Sequence, residues 1–292
     1  MLRIVLPKGS LEEPTLRLFA EADLPLRRGA ERDYKLTTDD PRIEEVRCLR
    51  PQEIPLYVQE GYFDMGISGR DWICETGSDV VELMDLDYGK QTTGQPVRVV
   101  LAVAEDSSVT RAEDMPPDSR ISTEYPQLTR AFFDRLGIAV RIYPSYGATE
   151  AKVPDIVDAV VDLTETGSTL YHAGLRVVAT LLESTTELIA NRESYADPQK
   201  RTEMEELMTL LRGALAARSR VLVKFNIHSN HLENVIEIVP AAKSPTISQL
   251  YGSDYYAVES VVPKAEINRL IPQLKARGAE DILELPILKI VD

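Results

Sequence analysis

Short apolar runs alternate with segments of helical periodicity over the first two thirds of the chain. The runs have the length of strands, and the segments between them repeat apolar residues every three or four positions. This alternation predicts an α/β domain with largely parallel strands. Strands are expected at 2–6, 63–67, 97–104, 120–123, 139–143 and 161–163, and helices after Ser10 and over 128–136, 154–160 and 192–218.

The pattern changes beyond residue 218. The predicted elements then follow the order strand, helix, strand, strand, helix, strand, which is that of a ferredoxin-like unit. Their expected spans are 220–226, 230–238, 246–250, 255–262, 264–277 and 282–290. We therefore expect a separate domain appended to the α/β part.

A hydroxyl-rich loop follows the predicted strand at 161–163. Asp162 lies near the end of that strand, and Thr164, Glu165, Thr166, Gly167, Ser168 and Thr169 follow it before a helical segment. Backbone N–H groups, hydroxyls and a helix N-terminus suit a phosphate group, and an acid beside them can accept hydrogen bonds from a sugar. The run predicts a site for a phosphoribosyl ligand, although the same residue types also form ordinary surface turns.

Two further strand–loop–helix junctions carry candidate ligand groups. Lys8 and Gly9 precede a helix whose start, Ser10 to Glu13, matches a capping box. The lysine suits an anion, although a single loop lysine is more often only solvated. Ser68 to Asp71 predicts a turn from a strand into a helix, and its glycine permits close approach of a ligand. Because loops after parallel strands meet at one edge of a sheet, these junctions are expected to lie together.

Composition narrows the class of protein. The 292 residues carry a net charge of −14, which disfavours nonspecific nucleic-acid binding because such binding needs a basic surface. No apolar run approaches the roughly 18 residues that span a bilayer, and the start lacks a signal-peptide pattern. With two cysteines, Cys48 and Cys74, no disulfide framework is expected. These features predict a cytoplasmic protein without nucleic-acid or membrane partners.

Other motifs are less informative. His228 and His231 have no nearby cysteine, so a polar helix start is expected there rather than a metal site. His172 could serve as a base, but no nucleophile elbow accompanies it. The sequence has no P-loop motif. Asp155 and Asp158 fall on the helix predicted over 154–160, and Asp162 is the better candidate for a functional acid.

Taken together, the motifs resemble the long form of the ATP phosphoribosyltransferase family. The family signature is a Glu, a short spacer and then an Asp–Leu run with Thr–Gly–x–Thr–Leu. Here it falls on Glu150 and 162–170, and further similar stretches are 7–11, 49–55, 64–71, 125–130, 243–248 and 257–263. Three positions depart from the usual pattern: Ser10 replaces Arg, Asp155 replaces Gly in a spacer one residue short, and Asn226 replaces the Asp of some relatives.

The resemblance implies a bilobal core like that of type II periplasmic binding proteins, followed by a ferredoxin-like, ACT-like regulatory domain. Lobe I would comprise 1–95 and 180–215, lobe II 96–179, and the regulatory domain 218–292. The implied reaction is attack of adenine N1 of ATP on ribose C1 of phosphoribosyl pyrophosphate. Pyrophosphate would leave with Mg²⁺, which the substrate carries, so no protein metal ligand is assigned. This is the first, feedback-regulated step of histidine biosynthesis.

The resemblance also implies roles for individual residues. Catalytic residues would be Asp162, Lys8 and Arg50. The phosphoribosyl pyrophosphate site would contain Asp158, Asp162, Thr164, Glu165, Thr166, Gly167, Ser168 and Thr169. The ATP site would contain Lys8, Gly9, Ser68, Gly69, Arg70, Asp71, Glu124 and Tyr125. Histidine would bind as feedback inhibitor at Asn226, Ser244, Pro245, Thr246 and Val261, with AMP as a further candidate ligand and dimers and hexamers as the assemblies.

Two other functions are compatible with parts of the pattern. A solute-binding or sensor protein of the same bilobal fold would perform no chemistry, and the missing signal peptide and the hydroxyl-rich loop argue against it. A type I phosphoribosyltransferase also has a Thr–Gly–x–Thr loop, but that class places two adjacent acids before it. Here Leu163 follows Asp162.

Overall fold

Two compact units make up the chain. The computed structural model describes residues 1–30, 33–86, 97–241 and 243–291. Unit 1 comprises Met1–Arg17 and Leu26–Glu205, and unit 2 comprises Leu18–Pro25 and Glu206–Asp292. Among the helices of these described residues, none is both long enough and apolar enough to cross a membrane.

Unit 1 contains two β-sheets. The first has the order β2-β3-β4-β1-β5-β12-β6. Its centre is parallel, because β1 pairs in parallel with both β4 and β5, whereas β12 runs antiparallel to its two neighbours. The strands are β1 (Leu2–Pro7), β2 (Arg27–Arg28), β3 (Lys35–Thr37), β4 (Ile43–Leu49), β5 (Met65–Gly69), β6 (Val81–Asp85) and β12 (Thr186–Ala190).

The second sheet of unit 1 has the order β11-β7-β10-β8-β9. Here β8, β9 and β10 are parallel, and β7 runs antiparallel to both β10 and β11. The strands are β7 (Val97–Ala104), β8 (Arg120–Thr123), β9 (Arg141–Pro144), β10 (Ala159–Thr164) and β11 (Leu175–Ser184). Alternate residues of β7 and β10 enter two different apolar clusters, so both faces of this sheet are covered.

Helices cover the sheets and connect their strands. The helix over 126–136 buries Phe133 and ends at Gly137, whose φ of 70° is the left-handed conformation that favours glycine at a helix end. The helices of the chain before unit 2's sheet are α1 (Glu12–Glu21), α2 (Ile54–Gln59), α3 (Arg70–Thr76), α4 (Pro126–Leu136), α5 (Ser168–His172), α6 (Arg192–Ala196) and α7 (Pro198–Arg218).

Unit 2 has the predicted ferredoxin-like order of elements. Its four-stranded sheet, in the order β14-β15-β13-β16, is antiparallel throughout. One face carries the core, in which Val223, Phe225 and Val258 pack with Leu270 and Leu274 of the last helix. The elements are β13 (Arg220–His228), α8 (Leu232–Ile236), β14 (Thr246–Gln249), β15 (Tyr255–Pro263), α9 (Ile267–Ala276) and β16 (Glu280–Pro286).

Several local predictions are wrong. Residues 154–160 form no helix: a short 3-10 turn at Glu150–Lys152 leads into a loop, and β10 already begins at Ala159. The pattern over 192–218 is two helices, because the Asp197 carboxylate accepts the N–H groups of Gln199 (2.9 Å) and Lys200 (3.0 Å) and so caps a new helix.

The strand pairing and two helix starts also differ from expectation. Both sheets of unit 1 are mixed rather than largely parallel, because an apolar run does not encode the direction of its neighbour. Glu13 bonds Arg17 (3.2 Å) instead of closing a capping box with Ser10. Ser68 and Gly69 belong to β5 rather than to a turn after it.

Candidate active site

Three strands of the first sheet end beside one another. Because β1 pairs with both β4 and β5, their carboxyl ends bring Lys8, Arg50 and Gly69 to the same edge. The Lys8 N–H donates to the Leu49 carbonyl (2.7 Å), which joins the first two ends directly. The Lys8 ammonium lies 4.2 Å from the centre of the Tyr34 ring, a cation–π contact.

The hydroxyl-rich loop lies at the carboxyl end of β10 and is held by its own side chains. The Gly167 N–H donates to Thr164 Oγ1 (2.9 Å), and the Ser168 N–H donates to Thr166 Oγ1 (3.2 Å). Gly167 has a φ of 79°, which turns the chain into α5. A hydroxyl that accepts an N–H still has its own proton to donate. The loop is therefore preformed, with hydroxyl donors for an oxygen-rich ligand.

A cavity of about 310 Å³ is lined by residues of both sheets of unit 1. Of the predicted site residues it is lined by Gly69, Asp71, Glu124, Tyr125 and Asp162. Its volume lies at the lower end of the range for small-molecule sites, about 300–1,000 Å³. Residues from both predicted ligand sites, the ATP site and the phosphoribosyl site, therefore meet in one cavity.

Asp71 is the centre of a buried hydrogen-bond network in this cavity. Its carboxylate accepts the Tyr125 hydroxyl (2.8 Å) and the Ser184 hydroxyl (2.6 Å). Burial, followed by the charge of Asp71, raises the pKa of the Tyr125 phenol. The phenol thus remains a protonated donor and links a residue of α3 to the segment before α4. A side chain at Gly69 would collide with the Asp71 carboxylate, which explains the glycine.

A second carboxylate joins the same two helices. Glu75 of α3 accepts the N–H groups of Gln127 (3.0 Å) and Leu128 (2.9 Å) in the first turn of α4. These groups have no partner within their own helix. Burial raises the pKa of Glu75, although both backbone bonds oppose that shift. The sequence prediction missed Glu75, and the only signal was a helix start at Pro126 without a capping side chain.

Trp72 and Ser184 are two more cavity residues that the sequence prediction missed. The Trp72 ring packs against Tyr125 with the ring centres 4.6 Å apart. Ser184 is at the end of β11, where the chain returns to the first sheet. Neither belongs to a recognisable motif, and both are brought into the cavity by strand and helix packing alone.

The structure does not bring all predicted site residues to the cavity wall. Ser68 is buried and donates its hydroxyl to the Pro51 carbonyl (2.9 Å), and the Arg70 side chain is exposed. Lys8, Gly9 and Arg50 lie at the strand ends described above but do not line the cavity. Asp162 and Leu163 do line the cavity, and the hydroxyl loop follows them directly in the chain.

Asp158 lies away from the loop with which it was grouped. It precedes β10, whereas Thr164 ends that strand, so the two are separated by its length, about 20 Å at roughly 3.3 Å per residue. Its carboxylate accepts the N–H (2.7 Å) and the guanidinium (2.8 Å) of Arg120. The family resemblance, rather than any local pattern, had grouped Asp158 with the loop, and the helix expected over 154–160 does not form.

No protein metal site emerges from the described residues. Among them, no group of three or more His, Cys, Asp or Glu side chains is arranged to hold a metal ion. Asp162 and Glu165 are the acids nearest to the hydroxyl loop in the chain. The donor set of this site therefore consists of hydroxyls, backbone N–H groups and single carboxylates.

The predicted effector residues lie on one face of the sheet of unit 2 or just before it. Along β13, alternate residues from Val221 to Ile227 face the core, so Asn226 faces the other side, where it donates to Asp281 (2.9 Å). By the same alternation Thr246 and Val261 share this open face. Ser244 and Pro245 immediately precede β14.

The fold and the cavity together define a class of protein: an α/β core that can hold a small ligand at the carboxyl ends of its strands, followed in the chain by a ferredoxin-like domain. Comparison with known proteins identifies the family. A family model described as ATP phosphoribosyltransferase matches residues 50–213, and one described as HisG, C-terminal domain, matches residues 217–289.

Similar proteins match over their whole length. Proteins named ATP phosphoribosyltransferase from Pelotomaculum thermopropionicum and Desulforudis audaxviator are 48% and 46% identical over 290 residues, 99% of each chain. A solved structure titled ATP phosphoribosyl transferase (HisG:HisZ) complex, from Thermotoga maritima, aligns with a TM-score of 0.61 and 25% identity over 72% of this chain and 98% of that one. The chain belongs to the ATP phosphoribosyltransferase family, whose enzymes catalyse the first step of histidine biosynthesis.

Proposed function

We propose that adenine N1 of ATP attacks ribose C1 of phosphoribosyl pyrophosphate within the cavity that Tyr125 and Asp162 share. Adenine N1 already carries a lone pair, so the reaction needs little base catalysis. Rate enhancement would come from holding the two substrates in line and from stabilising charge as pyrophosphate leaves. The observation that carries the proposal is that one cavity joins residues of both predicted substrate sites.

The two sides of the cavity suit different parts of the substrates. The loop from Thr164 to Thr169 would bind the phosphate of the phosphoribosyl group, and Asp162 would accept hydrogen bonds from the ribose hydroxyls. Asp71, Tyr125 and Glu124 would lie near the adenine. Lys8 and Arg50 would attract the phosphates of ATP from the neighbouring strand ends, where Gly9 leaves the backbone accessible.

Magnesium would enter with the substrate. Pyrophosphate is a strong ligand for Mg²⁺, and magnesium sites commonly combine substrate phosphates with only one or two carboxylates. Among the described residues, no group of three or more His, Cys, Asp or Glu side chains is arranged to hold a metal ion, and we assign no protein ligand to this one. The ion would neutralise the leaving group.

The direct test is turnover. Full-length protein mixed with ATP, phosphoribosyl pyrophosphate and Mg²⁺ should form phosphoribosyl-ATP and pyrophosphate, followed by the absorbance of the product. A solute-binding protein of this fold would bind one ligand and leave both substrates unchanged. Binding without product would therefore reject the enzymatic proposal.

Replacing either Thr166 or Thr169 by Val should raise the KM for phosphoribosyl pyrophosphate by about tenfold or more. Each change removes a hydroxyl that donates to phosphate, and a hydrogen bond to a charged group contributes about 1.5–3 kcal/mol. Steady-state kinetics with each substrate varied in turn will measure it. Thr180→Val, at an exposed position of strand β11, is the matched control. Unchanged KM values in both loop variants would contradict the assignment of this loop as the phosphate-binding site.

We further propose that residues 218–292 form the regulatory domain and bind histidine on the open face of their sheet. Lys224 and Glu259 form an ion pair (2.7 Å) on that face, and Glu259 pairs with Thr246 across the ladder. Opposite charges beside hydroxyl and amide groups suit a zwitterionic amino acid. AMP is a further candidate ligand, and feedback would shift the balance between homodimers and hexamers. The remaining parts, 1–95 with 180–215 and 96–179, would be the catalytic lobes.

The double variant Asn226→Leu, Thr246→Val should lose at least about tenfold in sensitivity to histidine while kcat without histidine stays unchanged. The expected loss corresponds to a coupling free energy within the usual range of about 1–3 kcal/mol. Inhibition curves and titration calorimetry with the full chain will measure it. Wild-type histidine sensitivity in this variant would exclude this face as the effector site.

A further inference from the structure

The hydroxyl loop contains no positive charge of its own. Between Asp162 and Thr169 the sequence has two carboxylates, those of Asp162 and Glu165, and no Lys, Arg or His. The whole chain has a net charge of −14. A phosphate group bound there would meet neutral donors and nearby negative charge. A cation from another element would offset this negative charge and strengthen the binding of phosphate.

Arg98 on the neighbouring strand is placed to supply this charge. In the antiparallel ladder of β7 and β10, Arg98 lies directly opposite Thr164, the first residue of the loop. Side chains at such positions have Cβ atoms about 5 Å apart. The adjacent residue, Val97, lines the cavity.

The Arg98 side chain lies on the same face of the sheet as those of Asp162 and Thr164. Val99, Leu101 and Val103 of β7 enter one apolar cluster, whereas Val100 and Ala102 enter the other together with Val160 and Leu170. Because side chains alternate along a strand, Arg98 shares the face of Val100. Asp162 and Thr164 share the same face, since they alternate with Val161 of the first cluster. Arg98 thus stands beside the loop on the side that α5 covers.

The Arg98 side chain is partly buried, and among the described residues its positive charge has no bonded partner. Within the described ranges, no hydrogen bond or ion pair of its guanidinium is found. Glu183 lies opposite it on β11, but the two form no ion pair within 4 Å among the residues described. A partly buried arginine without an acceptor is costly unless a ligand supplies one, and its planar fork matches phosphate oxygens.

A second cation on this side of the sheet is already bonded. The Lys152 ammonium donates to Ser145 Oγ (2.6 Å) and to Ser122 Oγ (3.2 Å). Those bonds tie the loop before β10 to the ends of β8 and β9. Arg98 differs because no acceptor among the residues that the structure describes bonds its guanidinium.

We propose that Arg98 is a substrate-binding residue whose guanidinium contacts a phosphate group of the phosphoribosyl donor beside Thr164. The inference rests on the proposed function, because it assigns the donor's phosphate to this loop. It adds a residue outside every motif of the sequence, reached only through the pairing of β7 with β10. The guanidinium neutralises the phosphate where the loop provides hydroxyl and N–H donors.

The test is the affinity of the full-length protein for phosphoribosyl pyrophosphate with Mg²⁺ and without ATP, measured by titration calorimetry. Arg98→Gln should weaken binding by about tenfold to a hundredfold, as expected for losing hydrogen bonds to a charged group. Arg98→Lys should recover part of the loss, since it restores the charge without the fork. The KM for ATP should change far less than that for the donor.

Arg120→Gln is the matched control, because Arg120 lies at the opposite edge of the same sheet, paired with Asp158. Thermal unfolding will check that the variants are folded, and Arg98→Lys keeps the test decisive if the glutamine variant is not. Donor affinities within twofold of wild type in the folded Arg98 variants would overturn the inference. If Thr166→Val still weakens binding of the donor in that case, the loop keeps its assignment as the phosphate site and only the role of Arg98 is lost. If the wild-type protein neither binds the donor nor forms product in the turnover assay, the proposed function itself fails.

Discussion

Replacing Asp162 by Asn is expected to lower kcat by about a hundredfold while the protein remains folded. The carboxylate lines the cavity and accepts the Leu163 N–H (2.7 Å), an interaction that an amide oxygen can retain. In the proposed complex, Asn would remove the negative charge beside the ribose, where positive charge would develop as pyrophosphate leaves. Removing one such electrostatic group typically costs about 10²–10³ in kcat.

Steady-state kinetics with both substrates will measure this effect. Asp158→Asn is the control, because Asp158 precedes the same strand but is paired with Arg120 at the opposite edge. That variant should keep its kcat. If Asp162→Asn retains full turnover, Asp162 is structural and the ribose assignment is wrong.

Asp64→Asn is expected to reduce the free energy of unfolding by about 3 kcal/mol. The Asp64 carboxylate is buried and accepts the Lys200 ammonium, the Ser194 hydroxyl and the Arg3 N–H, each at 2.7 Å. Breaking a buried ion pair costs about 3–5 kcal/mol. We expect the lower end of this range because the Lys200 side chain is 32% exposed and therefore partly solvated. Denaturant unfolding will measure the difference.

The same pair predicts a pH dependence. Burial tends to raise the pKa of Asp64, but the hydrogen bonds from Lys200, Arg3 and Ser194 outweigh it and hold the pKa below its ordinary value. A carboxyl with a lowered folded-state pKa stabilises the fold above its unfolded pKa, about 3.9, and this contribution is lost as the pH falls through the folded pKa. The stability gap between wild type and Asp64→Asn should thus narrow below about pH 4.

Glu205→Gln provides the control on the same helix, because its partner Arg201 (2.7 Å) is exposed. Exposed pairs contribute little, so this variant should unfold like wild type at every pH. An Asp64→Asn variant as stable as wild type at neutral pH would show that the network around Asp64 is not a source of stability.

Elements with a strong apolar pattern could be predicted because burial shapes the local sequence: a strand covered on both faces is a continuous apolar run, and a helix covered on one face repeats apolar residues every three or four positions. The strand over 97–104 and the helix ending at Gly137 lie where expected, as does the order of the six elements of unit 2. The helix expected over 154–160 does not form, because these residues belong to a loop and to the start of β10. Val157 is buried in that loop, so its apolar character reflects burial rather than helical periodicity.

The sequence by itself determined the α/β class, the ferredoxin-like order at the end of the chain, and the loop after Asp162, since each depends on neighbours in the chain. Only the tertiary structure decided which distant groups meet. Tyr125 and Ser184 bond Asp71 across 54 and 113 positions, and Glu75 caps a helix 52 positions away. Arg98 stands beside Thr164 solely because β7 pairs with β10 in one register. Such contacts arise from strand pairing and helix packing, whose direction and register no local pattern encodes.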